Sequence, residues 1–325
     1  MSRIENNHVT KVAIVGAGGR VGGPFARSLL ETGKHTVTAI TREDSTSGAK
    51  LPEGVHVVKV NYDNEESVVS ALKGQEVLII TLSVQTPKDT QAKLISAAAK
   101  AGVPYLFHNA YGGDITAEQV NKDTGLAEAE AATRKQIEDL GVSKWIAFCC
   151  GFWYEWSLPM GTDLYGFDIK NREVIFFDDG ETKFSTSTWP QCGRGMAALL
   201  SLPVEGQGTT LESFANKPVY IQSFRVSQKD MLASILRVTG DKESDWKVEY
   251  QPAQERWEEG RAAMMKGDRQ GFARMLYARS MAKDTSGNFE GKLNNDVLGL
   301  KDEDLDEWTK FCVDFAMAGR SWWAE

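Results

Sequence analysis

Cysteine and histidine are both scarce in this chain, with four of each among 325 residues. The cysteines (Cys149, Cys150, Cys192 and Cys312) form no CxxC, and the histidines stand apart at 8, 35, 56 and 108 with no HExxH. Neither a disulfide framework nor a structural or catalytic metal site is expected, and the thiols read as buried and reduced. Positive charge is also short: 37 Lys and Arg against 45 Asp and Glu leave a formal net charge of −8. Nucleic-acid binders and proteins of anionic membrane surfaces carry a basic footprint, so neither nucleic acid nor membrane is an expected partner. No apolar run approaches the ~18 residues of a spanning helix. The polar start, Met1 to Thr10, lacks the apolar core of a secretory leader. The expectation is a cytoplasmic protein handling a small molecule; the sequence is silent on oligomeric state.

What is present is regular alternation. Lys11 to Val15 is a β-branched run that ends in glycines, and Val21 to Thr32 follows with apolar residues at helical spacing. Strands are expected at Thr36 to Ile40, Val55 to Val60, Val77 to Leu82, Tyr105 to Asn109 and Trp145 to Cys150. Helices are expected at Glu65 to Leu72, Asp89 to Ala101 and Ala127 to Leu140. Strands separated by helices make right-handed βαβ units, so the fold class is α/β, a Rossmann-type doubly wound parallel sheet. After Gly151 aromatics crowd in and the pattern turns irregular. Strands are expected at Val174 to Phe177, Pro218 to Gln222 and Trp246 to Tyr250. A helix capped by Ser227 and Asp230 follows the second of these. Two helices broken near Gly267 are expected within Ala253 to Met281, and a last helix at Leu305 to Met317. The domain reading is 1–150 for dinucleotide binding and 151–325 for a smaller, irregular α/β substrate domain, some of whose segments return to the first sheet.

The densest chemistry lies in Val12 to Gly22, VAIVGAGGRVG, which reads as GxxGxxG on Gly16, Gly19 and Gly22. The first glycine permits a tight turn out of the strand, the second a close approach of pyrophosphate, the third close helix–sheet packing. Gly18, Arg20 and Val21 complete the loop, and the helix N-terminus offers free N–H groups to phosphate. The second strand runs into Arg42, where an acidic residue would bind the ribose 2′-OH of NAD and an arginine suits the 2′-phosphate of NADP. Glu43 and Asp44 follow directly, so both readings stay open, with NADP(H) favoured. Thr81, Leu82 and Ser83 close the fourth strand and Asn109 the fifth; the topology sets all four beside the nucleotide.

The glycine loop, Arg42 and the strand end Cys150-Gly151-Phe152-Trp153 together resemble the NmrA-like family, the atypical short-chain dehydrogenases that include isoflavone and phenylcoumaran reductases. The stretch Gly151 to Leu158, GFWYEWSL, and the later NNDVLGL at 294–300 resemble its fungal subgroup found with pigment and alkaloid pathways. The resemblance implies a substrate pocket at the cleft between the domains, beside the nicotinamide, and a catalytic lysine nine residues before the glycine that ends the helix after the fifth strand. Counting from Gly141, that position is Ala132; Lys135 lies three residues on, about 60° around the helix. The YxxxK pair of ordinary short-chain dehydrogenases is absent too, since none of the eight tyrosines precedes a lysine by four.

Other groups at the strand ends become candidates. Tyr111 and Tyr154 are potential proton donors, and Glu155 a base if burial raises its pKa. His108, Phe152, Trp153 and Trp156 would form a wall for a flat aromatic substrate. Three functions follow in order: an NADPH-dependent reductase of an aromatic or alkaloid secondary metabolite; a non-redox enzyme of the same fold closing a ring through an imine, as in a Pictet–Spengler cyclisation; and a redox-sensing regulator whose acidic segment, Asp302 to Glu307, meets a partner.

Overall fold

The computed structural model describes residues 7–44, 51–283 and 287–323. The first half alternates as β1 (Lys11–Val15), α1 (Gly22–Glu31), β2 (Thr36–Arg42), β3 (His56–Val60), α2 (Glu65–Leu72), β4 (Val77–Ile80), α3 (Thr90–Ala101), β5 (Tyr105–Phe107), α4 (Glu118–Asp123), α5 (Ala127–Leu140) and β6 (Lys144–Cys149). The second half holds β7 (Phe152–Trp153), α6 (Tyr154–Ser157), β8 (Phe167–Asp168), β9 (Glu173–Phe177), β10 (Phe184–Ser187), α7 (Trp189–Leu200), β11 (Lys217–Tyr220), β12 (Phe224–Val226), α8 (Gln228–Thr239), β13 (Lys247–Gln251), α9 (Ala253–Met265), α10 (Arg269–Ser280) and α11 (Leu305–Met317).

Seven strands form one parallel sheet in the order β11-β6-β5-β4-β1-β2-β3. The doubly wound fold expected from the sequence is therefore the observed one. The order reverses between β1 and β4, where an open α/β sheet leaves a crevice at its carboxyl edge. Val12 to Val15 and Val77 to Ile80 are at most 2% exposed, as strands covered on both faces must be. On one face lie α1 and α7, burying Phe25, Leu29, Met196 and Leu199; on the other, α2, α3 and α5 bury Leu72, Leu94, Ile95 and Ile137.

Two elements of the central layer come from beyond residue 150. β11 pairs with β6, and α7 packs along α1. β11 falls within the strand expected at Pro218 to Gln222 apart from its first residue, whereas α7 lies where no helix is expected. Gly193 and Gly195 blur the helical pattern, yet these glycines are what lets α7 sit so close. A Cβ on Gly193 would stand 2.6 Å from the Pro24 carbonyl oxygen, and one on Gly195 3.0 Å from the Phe148 ring. Thr188 opens this helix by accepting the Gln191 N–H, and Pro190 fits its first turn, where no N–H bond is lost.

The remaining segments form two three-stranded sheets, β12-β10-β7 and β13-β9-β8, around an aromatic core of Tyr154, Tyr165, Phe167, Phe176, Phe177 and Phe184. The Ser227–Asp230 capping box opens α8 as expected, and Gly267, at φ +89°, separates α9 from α10. Gly151 joins these sheets to the first. Its φ is +67°, and a Cβ there would stand 2.2 Å from the Ser185 carbonyl oxygen, so β10 rests directly on the chain leaving β6.

Gly193→Ala tests the α1–α7 contact. Alanine gains helix propensity, but its methyl must displace a backbone carbonyl, and the expected net loss is about 1–3 kcal/mol, read by chemical denaturation.

Candidate functional site

The carboxyl ends of β1, β2, β4, β5 and β6 gather the candidate residues at one edge of the sheet. Chain reversal after β1 is made by Gly16, at φ +82°. A Cβ on it would lie 2.0 Å from the Thr81 carbonyl oxygen, and one on Gly22 2.3 Å from the Gly16 carbonyl oxygen and 2.6 Å from Thr81 Oγ1. Thr81 in turn donates its hydroxyl to the Val15 carbonyl at 2.7 Å, which locks β4 to the start of the loop. Gly19 is looser: a Cβ there would come no nearer than 3.1 Å to the Gly16 carbonyl oxygen, and its N–H closes the turn onto that oxygen at 2.9 Å. Gly18 is half-buried beside it.

The loop feeds α1 through Val21, which has no capping side chain, and no acidic residue stands in the first turn. Gly23 N–H is taken by the Gly19 carbonyl and Pro24 has none, so it is the Gly22 N–H and the positive end of the helix dipole that are left for an anion. A cradle that side chains would fill, ahead of an uncapped helix, fits the pyrophosphate of a dinucleotide.

Around this cradle, Asn109 clasps the neighbouring strand end. It accepts the Leu82 N–H at 3.0 Å and donates to the Leu82 carbonyl at 3.2 Å, while Gln91 accepts the Asn109 N–H at 2.8 Å. Ser83 is exposed just beyond and accepts the Gln85 N–H. Arg42 ends β2 with its side chain 66% exposed, 3.5 Å from Asp44. Arg20 leans out of the loop between two indoles, Trp156 at 5.0 Å and Trp322 at 5.5 Å, and donates to the Trp322 carbonyl at 2.6 Å.

Three of the four potential catalytic groups are placed elsewhere. Tyr111 is buried against Phe25, its hydroxyl 3.4 Å from the Phe107 carbonyl, because the chain turns at His108 to Ala110 and returns to the core. Tyr154 is wholly buried, its hydroxyl hydrogen-bonded to Thr309 at 2.7 Å; burial pushes both tyrosine pKa values well above the ordinary range. Lys135 lies two turns down α5, 73% exposed and paired with Asp139 at 2.8 Å, so it does not stand in for the absent lysine. Of the wall residues, His108 is 1% exposed and held by Glu130 at 2.9 Å, which removes it from substrate contact. Phe152 turns into the aromatic core and stacks on Tyr277 at 3.9 Å. Trp153 is half-buried with its indole N–H unpaired among the described residues, and Trp156 faces Arg20.

Glu155 differs from the tyrosines. Its Oε1 accepts the Trp189 N–H at 2.7 Å, while Oε2 is buried without a partner among the described residues. Desolvation lifts its pKa to about 8, against the opposing pull of two backbone N–H groups and with a small further push from Glu303. The carboxyl is therefore mostly protonated at neutral pH: burial raises its pKa, the condition the sequence expectation set, and in that state it is a proton donor.

Residues the sequence reading passed over complete the surroundings. The Trp322 indole donates to the Glu155 carbonyl at 2.7 Å and stacks on Phe315 at 4.2 Å, and the Trp189 ring stands 5.2 Å away. The adjacent pair Trp322-Trp323 was the available signal. The acidic segment expected to meet a partner is used internally: Glu303 holds Arg194 and Thr188, and Asp306 holds Arg237 and Ser234. No group of metal-ligating side chains and no helix long and apolar enough to cross a membrane occurs among the described residues.

Comparison with known proteins agrees with this geometry. The profile of the NmrA-like family matches residues 8–160. The oxidoreductase aprR of Aspergillus flavus is 27% identical over 305 residues, covering 91% of this chain and 96% of its own. Two solved structures share the fold. The complex of AtPrR2 with NADP+ and (+)pinoresinol has a TM-score of 0.73 at 16% identity, covering 94% of this chain and 99% of its own. The NADPH complex of the quinone oxidoreductase QOR2 from Escherichia coli has a TM-score of 0.68 at 21% identity, covering 92% and 99%.

The buried carboxyl has a stability signature. Glu155 ionises near 4.5 in the unfolded chain and near 8 in the folded one, so the folded protein holds the extra proton between those values. Stability falls as pH rises through that interval, by about 3–5 kcal/mol in all, and is flat above it. Glu155→Gln keeps the acceptor for Trp189 and cannot ionise. Its melting temperature is expected to exceed that of the wild type at pH 8.5 and to match it near pH 4.5, followed by calorimetry across the range.

Proposed function

We propose that this chain, whose residues 8–160 match the NmrA-like family profile, binds NADP(H) at the Gly16–Gly22 loop and is an NADPH-dependent reductase of an aromatic small molecule. The observation that carries this reading is the glycine cradle at the point where strand order reverses, with Arg42 ending the adjacent strand. Arg42 suits a 2′-phosphate because its guanidinium is exposed and only loosely held by Asp44. The names of aprR and QOR2, and the NADP+ and NADPH in the two solved complexes, support the same reading. NADPH, when bound, supplies the hydride. Thr81, Leu82 and Asn109 would fix the strand ends beside it, and Trp153, Trp156, Trp189 and Trp322 offer faces for an aromatic ring.

With alanine at position 132 and the Tyr111 and Tyr154 hydroxyls turned into the core, Glu155 is the group best suited to hand over a proton. It is already protonated, buried and short of one hydrogen-bond partner. The same observation favours a second reading, acid–base ring closure through an imine with nucleotide held but unchanged. The regulator is the least supported, since Glu303 and Asp306 are engaged within the fold.

Calorimetric titration decides the nucleotide. NADPH is expected to bind the wild type more tightly than NADH, and Arg42→Ala to weaken NADPH roughly tenfold while leaving NADH unchanged, the effect of one charge-assisted contact. Equal affinity for the two cofactors in the wild type, or no binding, would remove the assignment. Turnover then separates the two chemistries. A reductase consumes NADPH absorbance in step with product, and the ring-closing enzyme forms product with NADP+ present. In either case Glu155→Gln should retain nucleotide binding and lose turnover, and the wild-type rate should fall as pH rises through about 8, where the donor proton is lost.

A further inference from the structure

The C-terminal segment is anchored over the glycine loop. Trp322 is fixed from three sides before Arg20 is considered: stacked on Phe315 at 4.2 Å, edge-on to Trp189 at 5.2 Å, and hydrogen-bonded through its indole to the Glu155 carbonyl at 2.7 Å. Trp323 packs on Trp156 at 5.1 Å, which ties the next residue to the same surface. Arg20, by contrast, is an exposed side chain on a glycine-rich turn, with many rotamers open to it. What restrains it is the pair of indoles and the Trp322 carbonyl, at 5.0, 5.5 and 2.6 Å. Only one guanidinium nitrogen, Nη2, is used, and the others have no hydrogen-bond partner among the described residues. A cation with unused planar donors is thereby held on the residue that precedes the uncapped start of α1, where phosphate is favoured.

We propose that Trp322 is a positioning residue for the nucleotide loop: it fixes the Arg20 guanidinium toward the dinucleotide's phosphates, so that a segment 302 residues along the chain belongs to the cofactor site. This rests on the reading that the Gly16–Gly22 loop binds the dinucleotide. The ordering cost of Arg20 is met on folding, and NADPH finds a preformed cation instead of a mobile one.

The test is a double-mutant cycle of NADPH binding by calorimetry, on full-length protein. Trp322→Ala removes a ring from Arg20 and loosens the carbonyl that receives its Nη2, and is expected to weaken NADPH roughly five- to tenfold, the scale of a cation–π contact and a hydrogen bond. Trp322→Phe keeps a ring and the backbone carbonyl, losing only the indole bond to Glu155, and should bind within about twofold of wild type. Arg20→Gln, an exposed substitution that leaves the core untouched, should show the same loss as Trp322→Ala. The double variant should lose no more than either alone, because both act through one contact. Unchanged or tighter binding by Trp322→Ala, failure of phenylalanine to restore affinity, or additive losses in the double variant would show that Trp322 does not act through Arg20. Absence of NADPH binding in the wild type would instead overturn the reading of the loop, and the proposal with it.

Discussion

The approach of Gly16 to Thr81 governs the nucleotide edge of this molecule. Two strands leave the sheet in opposite senses at the switch point, and their backbones come so close that a methyl group on Gly16 would overlap the Thr81 carbonyl. The Thr81 hydroxyl closes the remaining gap by bonding to Val15. Because the turn is that tight, α1 starts immediately beside the strand end and its N-terminus faces the crevice with nothing spent on capping. A larger residue at Gly16 or Gly22 would push the helix away from β4, and with it the packing of Phe25 on Tyr111 and Phe148. The anion cradle and the core beneath it are consequences of the same close contact.

A second close contact, at Gly151, sets what surrounds that cradle. The chain leaves β6 in a left-handed conformation directly under the Ser185 carbonyl, so the aromatic sheets begin with no linker between them and the first sheet. Within a few residues this turns Tyr154 toward Thr309 in the aromatic core and Glu155 toward Trp189, both at most 1% exposed, and leaves Trp153 and Trp156 half-buried. Neighbouring residues on a tight turn take opposite directions. For that reason the six residues after Gly151 divide between buried and half-buried positions.

Legibility in the sequence followed how local each determinant is. Strand and helix positions from Lys11 to Cys149 rest on periodicity and on glycine stops, and α2 and α5 fall at the residues expected for them. The glycine loop was legible because its requirement is backbone space, which only one residue type meets. α7 was not, since its close packing on α1 demands glycines that weaken a helical pattern. Tyr111 and Tyr154 looked like donors because they stand near strand ends in the chain; burial in one case and a turn in the other decide their direction, and neither is encoded locally. Lys135 sat near the right place on a helical wheel, yet one further turn along the axis carried it to Asp139 and solvent. Trp322 differs again: the adjacent Trp322-Trp323 pair marks an aromatic segment, but a contact between residues 302 apart leaves no periodic trace that says what it covers.

Glu155 shows why the site is costly as well as capable. A carboxyl with one oxygen bonded to a backbone N–H and the other unpaired is less favourable than a polar group with both satisfied. Two indole N–H groups, on Trp153 and Trp189, are buried unpaired in the same region. Among the described residues Gln75, His108, Arg134, Trp246 and Arg256 also carry a buried polar atom without a partner, but Glu155, Trp153 and Trp189 stand out because Glu155 and Trp189 are in direct contact and Trp153 is two residues away along the chain. A substrate bearing an oxygen or nitrogen next to an aromatic ring would use all three kinds of contact at once: a proton from the carboxyl, donors from the indoles, and stacking from their faces.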